Sequence, residues 1–261
     1  MLFNISFGFA LLVFFSSGLA FGTDPGFHDE SEVGAAIVSG NSNSETYDLK
    51  QMNYYDWSDN LVKFTARYLN ARATSGTGVA QTPLTNTALS WDSFLRYERV
   101  LDPAISVFAD YGLESDVFNG YVQRNDVDLG GKYFFAKSED TTWSAEAGYR
   151  NISTHYPASQ PDSNTSNVRL YSEISQLWKK TTTFKFYVEY IQAVASNNSS
   201  ANYTVGQDYQ LNTEPSVTVL MSQILSLKAS YLFKYMNYLP QGSTATKYLD
   251  TIFTTALVAK F

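Results

Sequence analysis

The chain offers two histidines for chemistry, His28 and His155. His155 stands two residues after Ser153, so on an extended strand both side chains share a face. A nucleophile needs its base within hydrogen-bond reach and a third group that orients the base. Neighbours at i and i+2 point in parallel and do not meet that demand. His28 lies among Asp29, Glu30 and Glu32, in what reads as a solvated acidic segment ahead of the first strand. A metal there would need a second strong ligand at fixed geometry. Cysteine is absent, which removes thiolate metal sites and disulfides alike. The chain carries no P-loop, dinucleotide fingerprint or zinc signature. The expectation is a protein that is not an enzyme, with no catalytic group, metal or cofactor.

The charged residues are more informative. Only 16% of residues are charged, and the net charge of −7, without a basic cluster longer than Lys179-Lys180, argues against a nucleic-acid partner. The charges recur at every second position, opposite apolar residues. This places Asp48, Lys50, Lys63, Arg67, Asp92, Arg96, Glu98, Asp110, Lys132, Glu146, Arg150, Arg169, Glu173, Lys185, Glu189, Lys228 and Lys234 on one face of their strands, with Asp126, Asp128 and Asp208. The signs are mixed, and opposite charges withdrawn from water must pair. Leu69, Phe108, Phe134, Tyr171, Tyr187 and Leu232 share that face and crowd it.

Period-two alternation in segments of about ten residues is the signature of a transmembrane β-barrel. Leu227, Ala229, Tyr231, Phe233 and Tyr235 oppose Lys228, Ser230, Leu232 and Lys234; Trp143, Ala145, Ala147 and Tyr149 oppose Ser144, Glu146, Gly148 and Arg150. Twelve such segments are expected, the first over 32–40 and the tenth over 203–220. Pro215 in the tenth suggests a bulge or an end. The links alternate between tight turns, such as 57–60 and 179–181, and longer Ser/Asn/Gly/Thr-rich loops, such as 74–87, 115–123 and 157–167. Short periplasmic turns and longer outer loops fit that alternation and put both termini in the periplasm. Trp57, Trp143 and Trp178 fall beside the short turns, where an interfacial aromatic belt belongs. A soluble β-sandwich would also alternate, but with its charged face outward and no rule for its loops.

Residues 1–20 carry no charged side chain, have an apolar centre from Phe7 to Phe15, and end in small residues that fit signal-peptide cleavage after Ala20 or Gly22. A short periplasmic segment, 21–31, and a barrel over 32–261 would follow. The expected location is the bacterial outer membrane, reached through the periplasm.

The stretch from Glu32 to Thr46, with Ser39-Gly40-Asn41-Ser42-Asn43-Ser44-Glu45-Thr46 at its turn, resembles the opening hairpin of the salt-induced outer-membrane protein family, a family of unknown function. The resemblance, supported by the terminal Phe261, implies an outer-membrane barrel and supplies no site residues. Gly40-Asn41 is itself a hairpin signal, because both residues tolerate positive φ. A cation site at Asn41, Asn43 and Glu45 would have only one charged ligand.

A twelve-stranded barrel lies between filled eight-stranded and open sixteen-stranded ones, so a narrow or occluded lumen is expected. The first functional expectation is a passive channel for ions or small solutes. The alternative is a structural or lipid-binding barrel acting as a homo-oligomer among outer-membrane lipids. The small residues Ala109, Gly131, Ala145 and Ala147 on strands five to seven would be its contact face, since small residues let membrane elements approach closely. A hydrolase using His155 is the third.

Overall fold

The computed structural model describes residues 26–38, 43–75, 82–157, 161–198, 203–239 and 248–260, without the side chains of 36–38. The expected signal peptide, the Gly40-Asn41 turn and Phe261 lie outside them. Twelve strands form: β1 Phe27–Val38, β2 Ser44–Trp57, β3 Asn60–Ala73, β4 Thr85–Asp102, β5 Ile105–Asp116 and β6 Tyr121–Lys137. The second half contains β7 Thr141–His155, β8 Ser163–Trp178, β9 Thr182–Ser196, β10 Tyr209–Leu220, β11 Leu225–Met236 and β12 Leu249–Lys260. Each pairs antiparallel with its chain neighbours, and β1 pairs with β12, so the sheet closes into a barrel. At the seam Glu30 opposes Lys260 in register, and their side chains pair at 2.7 Å.

Period-two alternation sorts the side chains in a sense opposite to a soluble domain. Asp48 is 2% exposed and Phe253 63% exposed. Charges line the interior, and Leu95, Val107, Leu129, Leu170 and Leu257 cover the exterior. The polar core and apolar coat are those of a membrane barrel.

Four expectations need correction. The first strand begins at Phe27, not Glu32, because its alternation runs on through the acidic residues: Phe27 and Val33 face out while Glu32 is buried. His28 therefore lies within β1, stacked on Tyr54 at 4.4 Å. The expected long loop 115–123 is only 117–120, turned by Gly120 at φ 90°, because β5 and β6 extend to Asp116 and Tyr121. The tenth strand starts at Tyr209, after a 3-10 turn at Val205–Gln207. Pro215 sits inside it with neither bulge nor end. The β9–β10 ladder runs through Pro215↔Phe186, whereas the β10–β11 ladder passes from Thr213↔Phe233 to Ser216↔Ser230 in unchanged register. Proline lacks the donor on the β11 side only.

The turns 58–59, 103–104, 138–140, 179–181 and 221–224 gather at one end, with β1's start and β12's finish; the six remaining links lie at the other.

Candidate functional site

The interior charges converge into two networks on facing walls. The first runs along β4–β9. Arg96 donates to Glu98 at 3.2 Å, to Asp110 at 3.4 Å and to Glu146 at 2.7 Å. Arg169 donates to the other oxygen of Glu146 at 2.8 Å and to Glu189 at 2.6 Å. Arg150 grips Asp128 through Nε and Nη2, both at 2.6 Å, and reaches Glu189 at 3.5 Å. Such bidentate guanidinium pairs are the most directional ion pairs available. Lys132 adds to Glu98 at 3.5 Å.

The second network joins β1–β3 with β10–β12. Arg67 donates to Asp48 at 2.9 and 2.8 Å, and Thr254 donates to the same carboxylate at 3.0 Å. Lys50 lies between Glu32 at 3.2 Å and Glu214 at 3.5 Å. Lys228 meets Glu32 at 2.8 Å. The Lys50–Glu214 pair thus links β2 to β10 across the closing seam.

Glycines shape the first wall. Gly130 and Gly148 face each other across β6 and β7. A Cβ on Gly130 would stand 2.6 Å from Phe108 Cζ and 2.7 Å from the Ala147 carbonyl. Their bareness lets the Phe108 ring lie flat, with the Arg96 guanidinium stacked 4.0 Å above it. Cation and ring hold the arginine in place.

Towards the short-turn end, Lys185 pairs with Glu173 at 2.9 Å beside the stacked Tyr171 and Tyr187. Lys63 lines the interior there without an ion pair among the described residues. Towards the long-loop end, Arg124 donates to Glu114 at 3.0 Å and stacks over Tyr121 at 4.0 Å. Lys234 comes within 4.0 Å of Asp116. Asp92 also lines the interior.

A cavity of about 480 Å³ lies between the walls, from Glu30 and Lys63 near the short turns to Tyr121 and Arg124 near the long loops. Among the described residues, three buried atoms on its lining lack a partner, Asp110 Oδ1, Arg124 Nε and Asp126 Oδ1, while Glu32 Oε1 has only the Lys50 ammonium at 3.2 Å. Beyond it lies a void of about 30 Å³, and the two share walls at Arg124, Ile152, Ile191, Gln210 and Met236.

The interior residues named from sequence all project inward, mostly paired. Sequence reasoning missed Glu30, Glu32, Glu114, Asp116, Arg124 and Glu214, which complete the pairs. Their signal was the same alternation, which runs on through Glu30 in the stretch read as leader, Asp116 in the stretch read as loop and Glu214 beside Pro215. Trp57, Trp143 and Trp178 face outward beside the short turns, next to Tyr55, Phe135 and Phe184. Ala109, Gly131, Ala145 and Ala147 also face outward. Only Gly131 and Ala147 are register partners; Ala109 lies opposite Leu129, and Ala145 opposite Tyr133. His155 meets Asp162 at 2.7 Å rather than Ser153, in the exposed β7–β8 loop. That hydrogen bond holds the Asp162 carboxyl below its ordinary value.

The profile of a family described as "protein of unknown function, DUF481" matches residues 31–261. The chain belongs to the DUF481 family. No curated protein matches this DUF481 chain in sequence. Its barrel is similar in structure to the COG4313 outer membrane channel from Pseudomonas putida F1, with a TM-score of 0.51 and 11% identity over 91% of this chain and 96% of that one. A second likeness is to the KdgM porin, with a TM-score of 0.46 and 9% identity over 90% of this chain and 99% of that one. At such identities the likeness to the COG4313 channel shows a shared outer-membrane barrel fold.

Proposed function

We propose that this DUF481 barrel crosses the outer membrane and conducts ions and small solutes passively through a narrow, charge-lined lumen. The supporting observation is a cavity of about 480 Å³ between the two ion-pair networks. Three of its polar atoms, Asp110 Oδ1, Arg124 Nε and Asp126 Oδ1, are without a partner among the described residues and call for water or a passing ion, because buried donors and acceptors are otherwise paired. The paired signs leave little selectivity between small cations and anions.

A closed barrel is the competing reading, and the Lys50–Glu214 and Arg96–Glu146 pairs between non-adjacent strands favour it. Planar-bilayer recording of the folded, purified protein separates the two. Reproducible small ohmic steps are the expected result. A folded protein that stays silent at every voltage would leave the closed barrel standing.

A further inference from the structure

The outer face carries one feature that a lipid-facing surface should not have. Asp29 and Ser31 on β1 and Gln51 and Asn53 on β2 project outward, on the faces that also present Phe27, Val33, Tyr55 and Trp57. They form a closed polar network. Asn53 donates to Asp29 at 2.6 Å, Gln51 donates to Asp29 at 3.0 Å, and Ser31 donates to Gln51 at 2.6 Å. Apart from Glu45 at the long-loop end of β2 and Asp102 at the short-turn end of β4, Asp29 is the only carboxylate that the described strands point outward.

Its depth makes the network costly. Asp29 opposes Asn53 in register, and the strand runs four residues from there to Trp57. At the rise and tilt of barrel strands this is about 10 Å above the tryptophan, inside an apolar band about 25 Å tall. Leu49 and Val33 lie beyond it, and Tyr55 and Phe27 before it. Lipid chains cannot answer polar groups. The internal hydrogen bonds leave the second amide hydrogen of Asn53 and lone pairs on Asp29 and Gln51 unanswered.

The surroundings are flat. In register, Ser31 opposes Ala259 on β12, Gln51 opposes Ala66 on β3, and Ala66 opposes Ser93 on β4. That row carries only small side chains beside the network, although Phe64 stands opposite Asn53 in the neighbouring row, so another surface can approach along the Ser31–Gln51 row.

We infer that the β1–β2 exterior is the two-fold interface between two copies of this chain in the membrane, an inference that rests on the membrane-crossing reading above. Two copies inserted with the same orientation can be related only by an axis along the membrane normal. That axis preserves depth and exchanges strands. Placed over the β1–β2 hairpin, it sets Asp29 against the second copy's Asn53, and Ser31 against the second copy's Gln51. Asp29 can then accept the second amide hydrogen of the second copy's Asn53, which the internal bonds leave free, and the two carboxylates stay apart. A partner without amides at this depth would leave Asp29 unanswered. The small outer residues Ala109, Gly131, Ala145 and Ala147 form the competing face, on the far side of the barrel, and supply no polar group.

The chain has no cysteine, so introduced cysteines report proximity without background. Cells that co-express tagged Ser31→Cys and untagged Gln51→Cys chains should yield, on mild oxidation, a disulfide dimer containing both. Ala147→Cys should yield none. In detergent, the triple variant Asp29→Leu, Gln51→Leu, Asn53→Leu should shift the native mass from two chains to one, while heat-modifiable gel mobility reports an intact barrel. A wild-type particle of one chain, cross-linking through Ala147→Cys instead, or a triple variant that keeps two chains would overturn the interface. Wild-type protein recovered as a single folded chain from outer membranes would refute the interface alone. Its absence from that fraction would refute the membrane-crossing reading, and the interface with it.

Discussion

Glu146 is the residue on which the interior depends most, since its carboxylate holds two arginines, Arg96 on both oxygens and Arg169 on Oε2. Glu146→Ala would leave two buried guanidiniums short of a partner, and breaking a buried pair from one side costs about 3–5 kcal/mol. Urea unfolding in lipid vesicles should register that loss. Arg96→Met, which removes the cation and keeps an apolar stem over Phe108, should cost less. Equal losses would mean that the ion pairs Arg96 makes, rather than its packing on Phe108, carry its contribution. At the surface, His155 bonded to Asp162 makes a separate case. A depressed carboxyl stabilises its loop at pH values above the ordinary 3.8 and loses that contribution as pH falls through the lowered value. His155→Ala should bring the Asp162 titration, followed by carbon NMR, back up towards 3.8; an unmoved titration would disprove the hydrogen bond as its cause.

Within the strands, side-chain direction was legible in the sequence and strand extent was not. Alternation alone places Arg96, Glu146 and Arg169 on the inner face, because a one-residue slip would turn every charge towards lipid. Which acid meets which base depends on register and barrel closure, and Lys50 with Glu214 joins positions far apart in the chain. Strand ends were misjudged where acidic or loop-like residues continued the alternation, as at Phe27–Ser31 and Tyr121–Arg124. Pro215 misled for a local reason: a proline is tolerated wherever one ladder can spare its donor. Gly130 shows what the sequence hides. Its inward face reads as an empty position, yet the missing Cβ is what seats Phe108 and thereby Arg96. Gly130→Val should cost about 1–3 kcal/mol by overpacking against the Ala147 carbonyl, which cannot move without the β6–β7 ladder. Gly131→Val, one residue on and facing outward with nothing nearer than 3.8 Å, should be close to neutral in the same unfolding assay.

For the whole molecule, the question is where a twelve-stranded barrel with a crowded interior would limit flow. The two ion-pair networks lie along the walls and leave the 480 Å³ cavity between them. The cavity and the 30 Å³ void share five wall residues, of which only Arg124 is charged, and a conducting lumen would have its neck there. Its head is fixed by Glu114 and by the Tyr121 ring, so it is a held cation on the wall that both share. Arg124→Ala removes bulk and charge together. If this neck limits conduction, the unit conductance should rise several-fold, and the preference should move towards cations because Glu114 and Asp126 would face the passage unopposed. Arg124→Lys keeps a cation but loses the planar stack on Tyr121, so its conductance should be noisier than that of the wild type while its preference stays unchanged. Reversal potentials under a salt gradient measure the preference independently of the bore. A rise in conductance without a shift in reversal potential would make Arg124 a steric plug only. No change in either would place the limiting constriction elsewhere, with the Glu173–Lys185 pair at the short-turn mouth as the next position to open.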